Sequence, residues 1–503
     1  MISVKNLSFR FRGSDAYALR DVSLEIARDD FVAVTGPSGC GKSTLALALG
    51  GYLFSQYDGE TEGTVVVAEM DVRQTPVYDV AEVVGLVQQN PEAQFCTLTV
   101  EDEIAFGLEN RCLPRNEIRE RMDWALDVVG ARYLKGRMLA TLSGGEKQKV
   151  AIAAMMAAKP QVLIFDEPTS NLDPTATAEI FDVIAQIRQR AGLTVIVIEH
   201  KTDYLRQFAT QWVRMEDGQI IKTSKQQDIK PGNPDLTHHA PRTTQSSDSA
   251  QDRHAPRTTT ENLISVDTLS TGYNGTRVLH DVSARVGPGE FVAVMGDNGS
   301  GKTTFLRSLL GLLKPQTGRV EVLGRDTRSA PVSTLARDVG FVFQNPDHQL
   351  FAESVWRETT LAPHNFGEWN TETERLARSL LATAGLDHRR DDHPYRLSYG
   401  QKRRLTLIAA LVTTPRLLLL DEILIGQDPA NAARLLGWVR DHVASGASAV
   451  MINHDPRITQ AYADRVLFFH RGQLLVDAPT EDAFQTLANQ GFDAYVPNGR
   501  GSA

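Results

Sequence analysis

The sequence predicts an α/β fold built twice, each copy a mostly parallel sheet covered by helices on both faces. Three observations predict it. Short apolar runs alternate with helical stretches, glycine-rich loops follow the first such run in each half, and the whole pattern recurs at a nearly fixed interval. In the first half Phe31-Val32-Ala33-Val34-Thr35 is a buried-strand pattern, and 43–50 reads as a helix. Val162-Leu163-Ile164-Phe165 and Thr194-Val195-Ile196-Val197-Ile198 are further strands, with a helix over 175–190 between them. The second half supplies apolar runs at 291–295, 417–420 and 449–452.

The repeat is visible by subtraction. Lys42 and Lys302 lie 260 residues apart, Gln89 and Gln344 255, Ser143 and Ser398 255, Asp166 and Asp421 255, and His200 and His454 254. A nearly constant offset over five elements marks one duplicated domain, and two copies form a paired architecture and not a solenoid. The expected division is 1–224 for the first domain, 225–262 for a linker, 263–482 for the second domain and 483–503 for a C-terminal tail. The linker is rich in Pro, Thr, Ser, Gln, Asp and His and poor in large apolar residues, so burial cannot offset its ordering entropy and it reads as a flexible tether. It repeats a hexapeptide, His239-Ala240-Pro241-Arg242-Thr243-Thr244 and again from His254, which reads as spacer.

Bulk composition narrows the class. A chain of 503 residues exceeds one compact core, and 42% hydrophobic with 23% charged residues is ordinary for a soluble globular protein. A net charge of −9 argues against a general positive surface for nucleic acid, so no nucleic-acid partner is expected. Three cysteines, Cys40, Cys96 and Cys112, give no disulfide framework and suit a reducing cytosolic compartment. Met1-Ile2-Ser3-Val4-Lys5 runs straight into a strand-like pattern, so no signal peptide is expected. No run approaches the ~18 apolar residues of a bilayer span, so any pore must come from other chains.

Gly36-Pro37-Ser38-Gly39-Cys40-Gly41-Lys42-Ser43, followed by Thr44, fits the phosphate-loop pattern. Gly296-Asp297-Asn298-Gly299-Ser300-Gly301-Lys302-Thr303, followed by Thr304, fits it again. Glycines let successive N–H groups curl inward onto phosphate oxygens, and the following helix adds its positive end. Lys42 and Lys302 are placed to neutralise β- and γ-phosphate charge, and Ser43 and Thr303 to hold Mg²⁺. Two matches in register make chance negligible, so ATP or GTP binding is expected. Asp166-Glu167 and Asp421-Glu422 each end an apolar strand. Asp166 and Asp421 would engage Mg²⁺ through water, and Glu167 and Glu422 would orient and deprotonate the attacking water.

With Leu142-Ser143-Gly144-Gly145-Glu146 before the first acid pair, Gln89, Asp173 and His200, the chain resembles the ABC ATPases across both copies. That resemblance implies, in each copy, a P-loop domain with an antiparallel β subdomain and a helical signature subdomain. It also implies head-to-tail pairing around two ATP molecules, within this one chain because of the tether, and composite sites closed by Ser143, Gly144, Gly145, Ser398 and Gly400. It gives Gln89 and Gln344 a place at the metal and the attacking water. His200 and His454 resemble the switch histidine that contacts γ-phosphate, and Phe11 and Tyr273 the aromatic that stacks on adenine. Core packing is the plainer reading of the two aromatics.

The Gln-Asn-Pro runs from Gln89 and Gln344, and Thr99-Val100-Glu101-Asp102-Glu103-Ile104-Ala105-Phe106-Gly107, are similar to energy-coupling factor (ECF) transporter ATPases. The likeness implies ATP hydrolysis with Mg²⁺, an integral membrane coupling protein, a substrate-binding membrane protein, a vitamin or metal ion as cargo, and a place on the cytoplasmic membrane face. A second reading is a soluble twin-domain ATPase acting on ribosomes or DNA. Pro231, Pro234, Pro241 and Pro256 oppose the continuous helical linker of ABC translation factors, and the zinc-bearing insertions of DNA-repair relatives are absent.

The second copy departs from the pattern twice. Tyr399 stands where the first copy has Gly144, and 423–428 reads Ile-Leu-Ile-Gly-Gln-Asp where 168–173 reads Pro-Thr-Ser-Asn-Leu-Asp. The resemblance places both departures on the ATP held by Lys42, through crowding, or through strain if the position needs positive φ. The site of Lys302, Glu422, His454 and Ser143 is therefore expected to carry most turnover.

Overall fold

The computed structural model describes residues 1–14, 16–170, 172–200, 202–225, 262–273 and 275–497. They form two separate units, one on each side of the interval 226–261. The expected linker, apart from its end residues, and the chain beyond 497 lie outside the described residues.

The first unit carries strands β1 (Ile2–Phe11), β2 (Leu19–Ile26), β3 (Phe31–Thr35), β4 (Gly59–Val67), β5 (Met70–Asp71), β6 (Val84–Val87), β7 (Val162–Asp166), β8 (Thr194–Ile198), β9 (Gln211–Glu216) and β10 (Gln219–Lys225). They make an antiparallel sheet ordered β2-β1-β4-β5 and a six-stranded sheet ordered β10-β9-β3-β8-β7-β6. All pairings in the second sheet are parallel except β9 with β10. The period-2 alternation of strands explains the layering. Phe31 and Ala33 of β3 face a core shared with helices Val100–Glu109, Arg115–Val128, Gly144–Ala157 and Pro174–Ala191. Val32 and Val34 face the opposite core, shared with the antiparallel sheet and helix Lys42–Leu49.

The second unit repeats this plan with β11 (Ile264–Tyr273), β12 (Thr276–Val286), β13 (Phe291–Gly296), β14 (Thr317–Val322), β15 (Arg325–Asp326), β16 (Val339–Val342), β17 (Leu417–Asp421), β18 (Ser448–Ile452), β19 (Arg465–His470) and β20 (Gln473–Pro479). Its sheets are ordered β12-β11-β14-β15 and β16-β17-β18-β13-β19-β20. The α/β class, the antiparallel subdomain and the helical subdomain all stand as expected.

One boundary needs correction. Residue 482 lies inside helix Thr480–Asn489, whose Ala483, Phe484 and Leu487 are buried against Ala293, Met295, Val466 and Phe468. Their i, i+1, i+4 spacing is an amphipathic stripe facing the sheet. The segment from 483 to at least 496 therefore belongs to the second unit. Among the described residues no helix is long and apolar enough to cross a membrane.

Candidate functional site

Each glycine loop leaves the central strand and enters a helix through left-handed backbone. Gly41 (φ 97°) and Gly301 (φ 99°) are the N-caps of helices Lys42–Leu49 and Lys302–Leu309. At the other end Gly36 and Gly296 hold φ of 148° and 135°. A Cβ at Gly36 would sit 2.1 Å from the Met215 carbonyl oxygen, and one at Gly296 1.9 Å from that of Phe469, so neighbouring strand leaves no room for a side chain. Lys42 Nζ donates to the carbonyls of Gly36 and Pro37 at 2.9 Å, and Lys302 Nζ to Gly296 at 2.8 Å and Asp297 at 2.7 Å. The lysines thus lie folded over their own loops. Cys40 is a buried filler; burial pushes its thiol up, against the opposing Lys42 charge. Ser300 and Thr304 are likewise buried, while Ser38, Thr44 and Asn298 are half-buried in the loop walls.

Strands β7 and β17 deliver the acid pairs to these loops. Ser43 hydrogen-bonds Asp166, and Thr303 Oγ1 lies 3.4 Å from Asp421 Oδ1. Burial pushes the Asp166 carboxyl up to about 6; the neighbouring Glu167 adds to this and the Ser43 bond opposes it. Burial, aided by the charge of Glu422, pushes Asp421 up to about 7. Such carboxyls, held short of negative charge by burial, gain most from a nearby cation. Asp166 Oδ1 is also buried with no hydrogen-bond partner. A hydroxyl and a carboxylate at the end of a phosphate loop are hard oxygen donors of the kind Mg²⁺ takes, and the residues fit that ion.

Glu167 and Glu422 adopt left-handed φ of 48° and 50°, uncommon for non-glycine residues. Each carboxylate is clasped from two sides. Gln89 Nε2 donates to Glu167 Oε2 at 2.9 Å while His200 Nε2 lies 3.1 Å from Oε1. Gln344 Nε2 donates to Glu422 Oε2 at 2.7 Å while His454 Nε2 lies 2.9 Å from Oε1. Burial raises the Glu422 carboxyl, but His454 and then Lys302 and Arg403 outweigh it and hold it below the ordinary range. Loop, acid pair, glutamine and histidine therefore converge in both halves as the sequence predicts.

The signature serines cap helices. Ser143 accepts from Glu146 N at 3.3 Å and its own N–H donates to Glu146 Oε2 at 2.8 Å; Ser398 and Gln401 do the same at 3.3 and 2.9 Å. Gly144 and Gly145 open the first of these helices, and Tyr399 and Gly400 the second. Among the described residues neither Gly144 nor Tyr399 has positive φ, so the tyrosine brings no backbone strain. Its ring lies back along its helix, 5.2 Å from the Arg403 guanidinium, which also donates to the Tyr399 hydroxyl at 2.9 Å. Arg403, only 1% exposed, donates onward to the carbonyls of Phe343 (2.6 Å) and Gln344. It stands where the first copy has Gln148. The i, i+4 spacing of an aromatic and a cation was legible in the sequence; the tie to the Gln344 loop was not.

The two candidate adenine aromatics differ. Phe11 packs edge-on against Phe9 and Tyr57 (4.9 and 5.7 Å between centroids) and lines a surface cavity with Arg12, Gly13 and Asp58. Tyr273 is exposed and accepts from Arg307 at 3.2 Å.

Two carboxylates outside the predicted set shape the loops after the glutamines. Buried Glu103 accepts from Cys96 N and Thr97 N, both at 3.0 Å, and Glu358 from Phe351 N (2.8 Å) and Ala352 N (2.7 Å). They lie 255 residues apart, the repeat interval, which is the signal that could have found them.

The ABC transporter family model matches residues 19–170 and 279–424. A protein of Methanosarcina acetivorans, provisionally named an ABC transporter ATP-binding protein, is 32% identical over 543 residues, covering 99% of this chain and 88% of its own length. A Bacillus subtilis protein, provisionally named the HMP/thiamine import ATP-binding protein YkoD, is 33% identical over 513 residues, covering 96% and 92%. Among solved structures, cbiO1 of Clostridium perfringens, described as part of the ABC transporter complex cbiONQ, is 30% identical over 45% of this chain and 88% of its own, with a TM-score of 0.41. Matched over most of its length by the family model and over nearly all of it by these relatives, the chain belongs to the ABC transporter family, as an ATP-binding subunit with two ATPase domains.

Proposed function

We propose that this chain energises an ECF-type importer from the cytoplasmic membrane face, its two halves pairing with each other around two ATP molecules. The partners are an integral membrane coupling protein and a substrate-capturing membrane protein. The observation that carries this reading is the pair of loops beyond Gln89 and Gln344. Glu103 and Glu358 fix their backbones from inside, and Leu98 and Phe351 stand 73% and 76% exposed on them. Large apolar side chains on a rigidly tied loop, directly connected to the glutamine that holds the hydrolytic glutamate, suit contact with a partner's helices. The name of the Bacillus subtilis relative favours a vitamin or vitamin precursor as cargo over a metal ion.

Within each half the chemistry follows from the chain's own groups. The loop N–H groups and helix start receive the phosphates, and Lys42 or Lys302 exchanges its carbonyl contacts for phosphate oxygens. Ser43, Asp166 and Gln89, with Thr303, Asp421 and Gln344 in the second half, would hold Mg²⁺, which when bound neutralises charge on the β- and γ-phosphate oxygens. Glu167 and Glu422 accept the proton of the attacking water. Each glutamate oxygen already has one partner, a glutamine on one and a histidine on the other, and keeps acceptor capacity for the attacking water. The glutamine loop is thereby in direct contact with the glutamate that receives the water.

Fractionation after co-expression with candidate membrane partners tests the reading. The parent chain is expected to sediment with membranes, and the Leu98→Asp/Phe351→Asp protein to remain soluble while keeping its nucleotide affinity. A parent chain that stays wholly soluble beside those partners would favour the ribosome- or DNA-directed alternative.

A further inference from the structure

The second phosphate loop carries an acidic residue, Asp297, where the first has Pro37. A carboxylate in a loop that cradles polyphosphate adds like charge to the ligand, and its effect depends on where it points and what it bonds. Here both oxygens are taken. Tyr495 Oη donates to Oδ1 at 2.7 Å, and His470 Nδ1 lies 2.6 Å from Oδ2. The two partners reach the loop by different routes. His470 ends β19, the strand paired with β13, whose last residue Gly296 immediately precedes Asp297. Tyr495 comes from the C-terminal segment, 198 residues away in sequence, and is 1% exposed. Its ring meets Phe468 edge-on at 5.0 Å, and Phe492 packs between Phe468 (4.9 Å) and His470 (5.3 Å). The hydroxyl is thus anchored by a packed aromatic cluster and aimed at one oxygen of the phosphate loop. In the first half the position matching His470 is Glu216, which pairs with Arg214 at 2.7 Å.

We propose that Tyr495 and His470 are positioning residues for the second nucleotide site. They hold the Asp297 carboxylate by both oxygens and turn its charge away from the phosphates, so the C-terminal segment sets the ATP affinity of that half. The inference rests on the reading of this loop as a nucleotide site. It predicts that loss of the Tyr495 hydroxyl matters only while Asp297 carries a charge.

The test is a double-mutant cycle in the full chain carrying Lys42→Ala, which weakens the first loop. The readout is equilibrium binding of a fluorescent non-hydrolysable ATP analogue with Mg²⁺, with thermal unfolding followed in parallel. Tyr495→Phe is expected to weaken binding about tenfold, because the released Asp297 carboxylate then repels the phosphates. In the Asp297→Asn background the same change is expected to leave affinity within about twofold. A purely structural role for Tyr495 would lower affinity and melting temperature equally in both backgrounds, and that result overturns the proposal, as does an unchanged affinity in Tyr495→Phe. Failure of the nucleotide-site reading is distinguishable: the Lys42→Ala parent would then bind no analogue, and the inference falls with it.

Discussion

Glu422→Gln is expected to lower steady-state ATPase by about a hundredfold or more, the usual range for removing a general base, with the membrane partners present. Glu167→Gln is expected to leave the rate within about twofold under the same conditions. The difference follows from the proposed head-to-tail pairing, which gives the Lys302 loop the intact signature of Ser143, Gly144 and Gly145, and gives the Lys42 loop a signature interrupted by Tyr399. Within each half the surroundings of the glutamate are the same: both glutamates sit at left-handed φ, and both are clasped by a glutamine and a histidine at 2.7–3.1 Å. In the proposed pairing the asymmetry comes from what the partner half contributes. Tyr399 is not strained; it brings an aromatic ring and a buried arginine to a helix start that in the first copy is two glycines. Steady-state rates of the two variants are the measurement, and a larger loss in Glu167→Gln reverses the assignment.

Gly296→Ala is expected to abolish nucleotide binding in the second half and to lower its melting temperature. The new methyl would lie 1.9 Å from the Phe469 oxygen at a φ of 135°, with β13 and β19 in register at that point. Neither strand can retreat without breaking the parallel ladder, so the cost is about 3 kcal/mol or more, or about 6–12 °C for a domain of this size. Gly299→Ala in the same loop is the control. Its φ of 79° is also left-handed, but nothing lies within 4 Å of the added carbon, so only the backbone cost of about 1–2 kcal/mol remains. Equal losses in the two variants, followed by thermal unfolding and analogue binding, would contradict the steric account.

Most of the site was legible because its residues are fixed by local chemistry. A glycine loop between strand and helix, an Asp-Glu pair at a strand end and a histidine at the next strand end each state their place without knowledge of distant contacts. The duplication repeats each of these placements, so both copies are legible by the same rule. What was not legible depends on contacts between remote segments. Residues 483–489 bear no motif and read as tail, although Ala483, Phe484 and Leu487 carry a helical stripe. Asp297, His470 and Tyr495 are ordinary residues in sequence, and only the pairing of β19 with β13 and the return of the C-terminal segment bring them together. Arg403 reads as one more charge on a basic helix start, but folding buries it against two carbonyls.

Calorimetric titration of the full chain with a non-hydrolysable ATP analogue and Mg²⁺ measures the phosphate loops most directly. Two equivalents per chain are predicted for the parent, one for Lys42→Ala or Lys302→Ala, and none for the double variant. A double variant that still takes up two equivalents, or a parent that takes up none, would contradict the assignment of these loops.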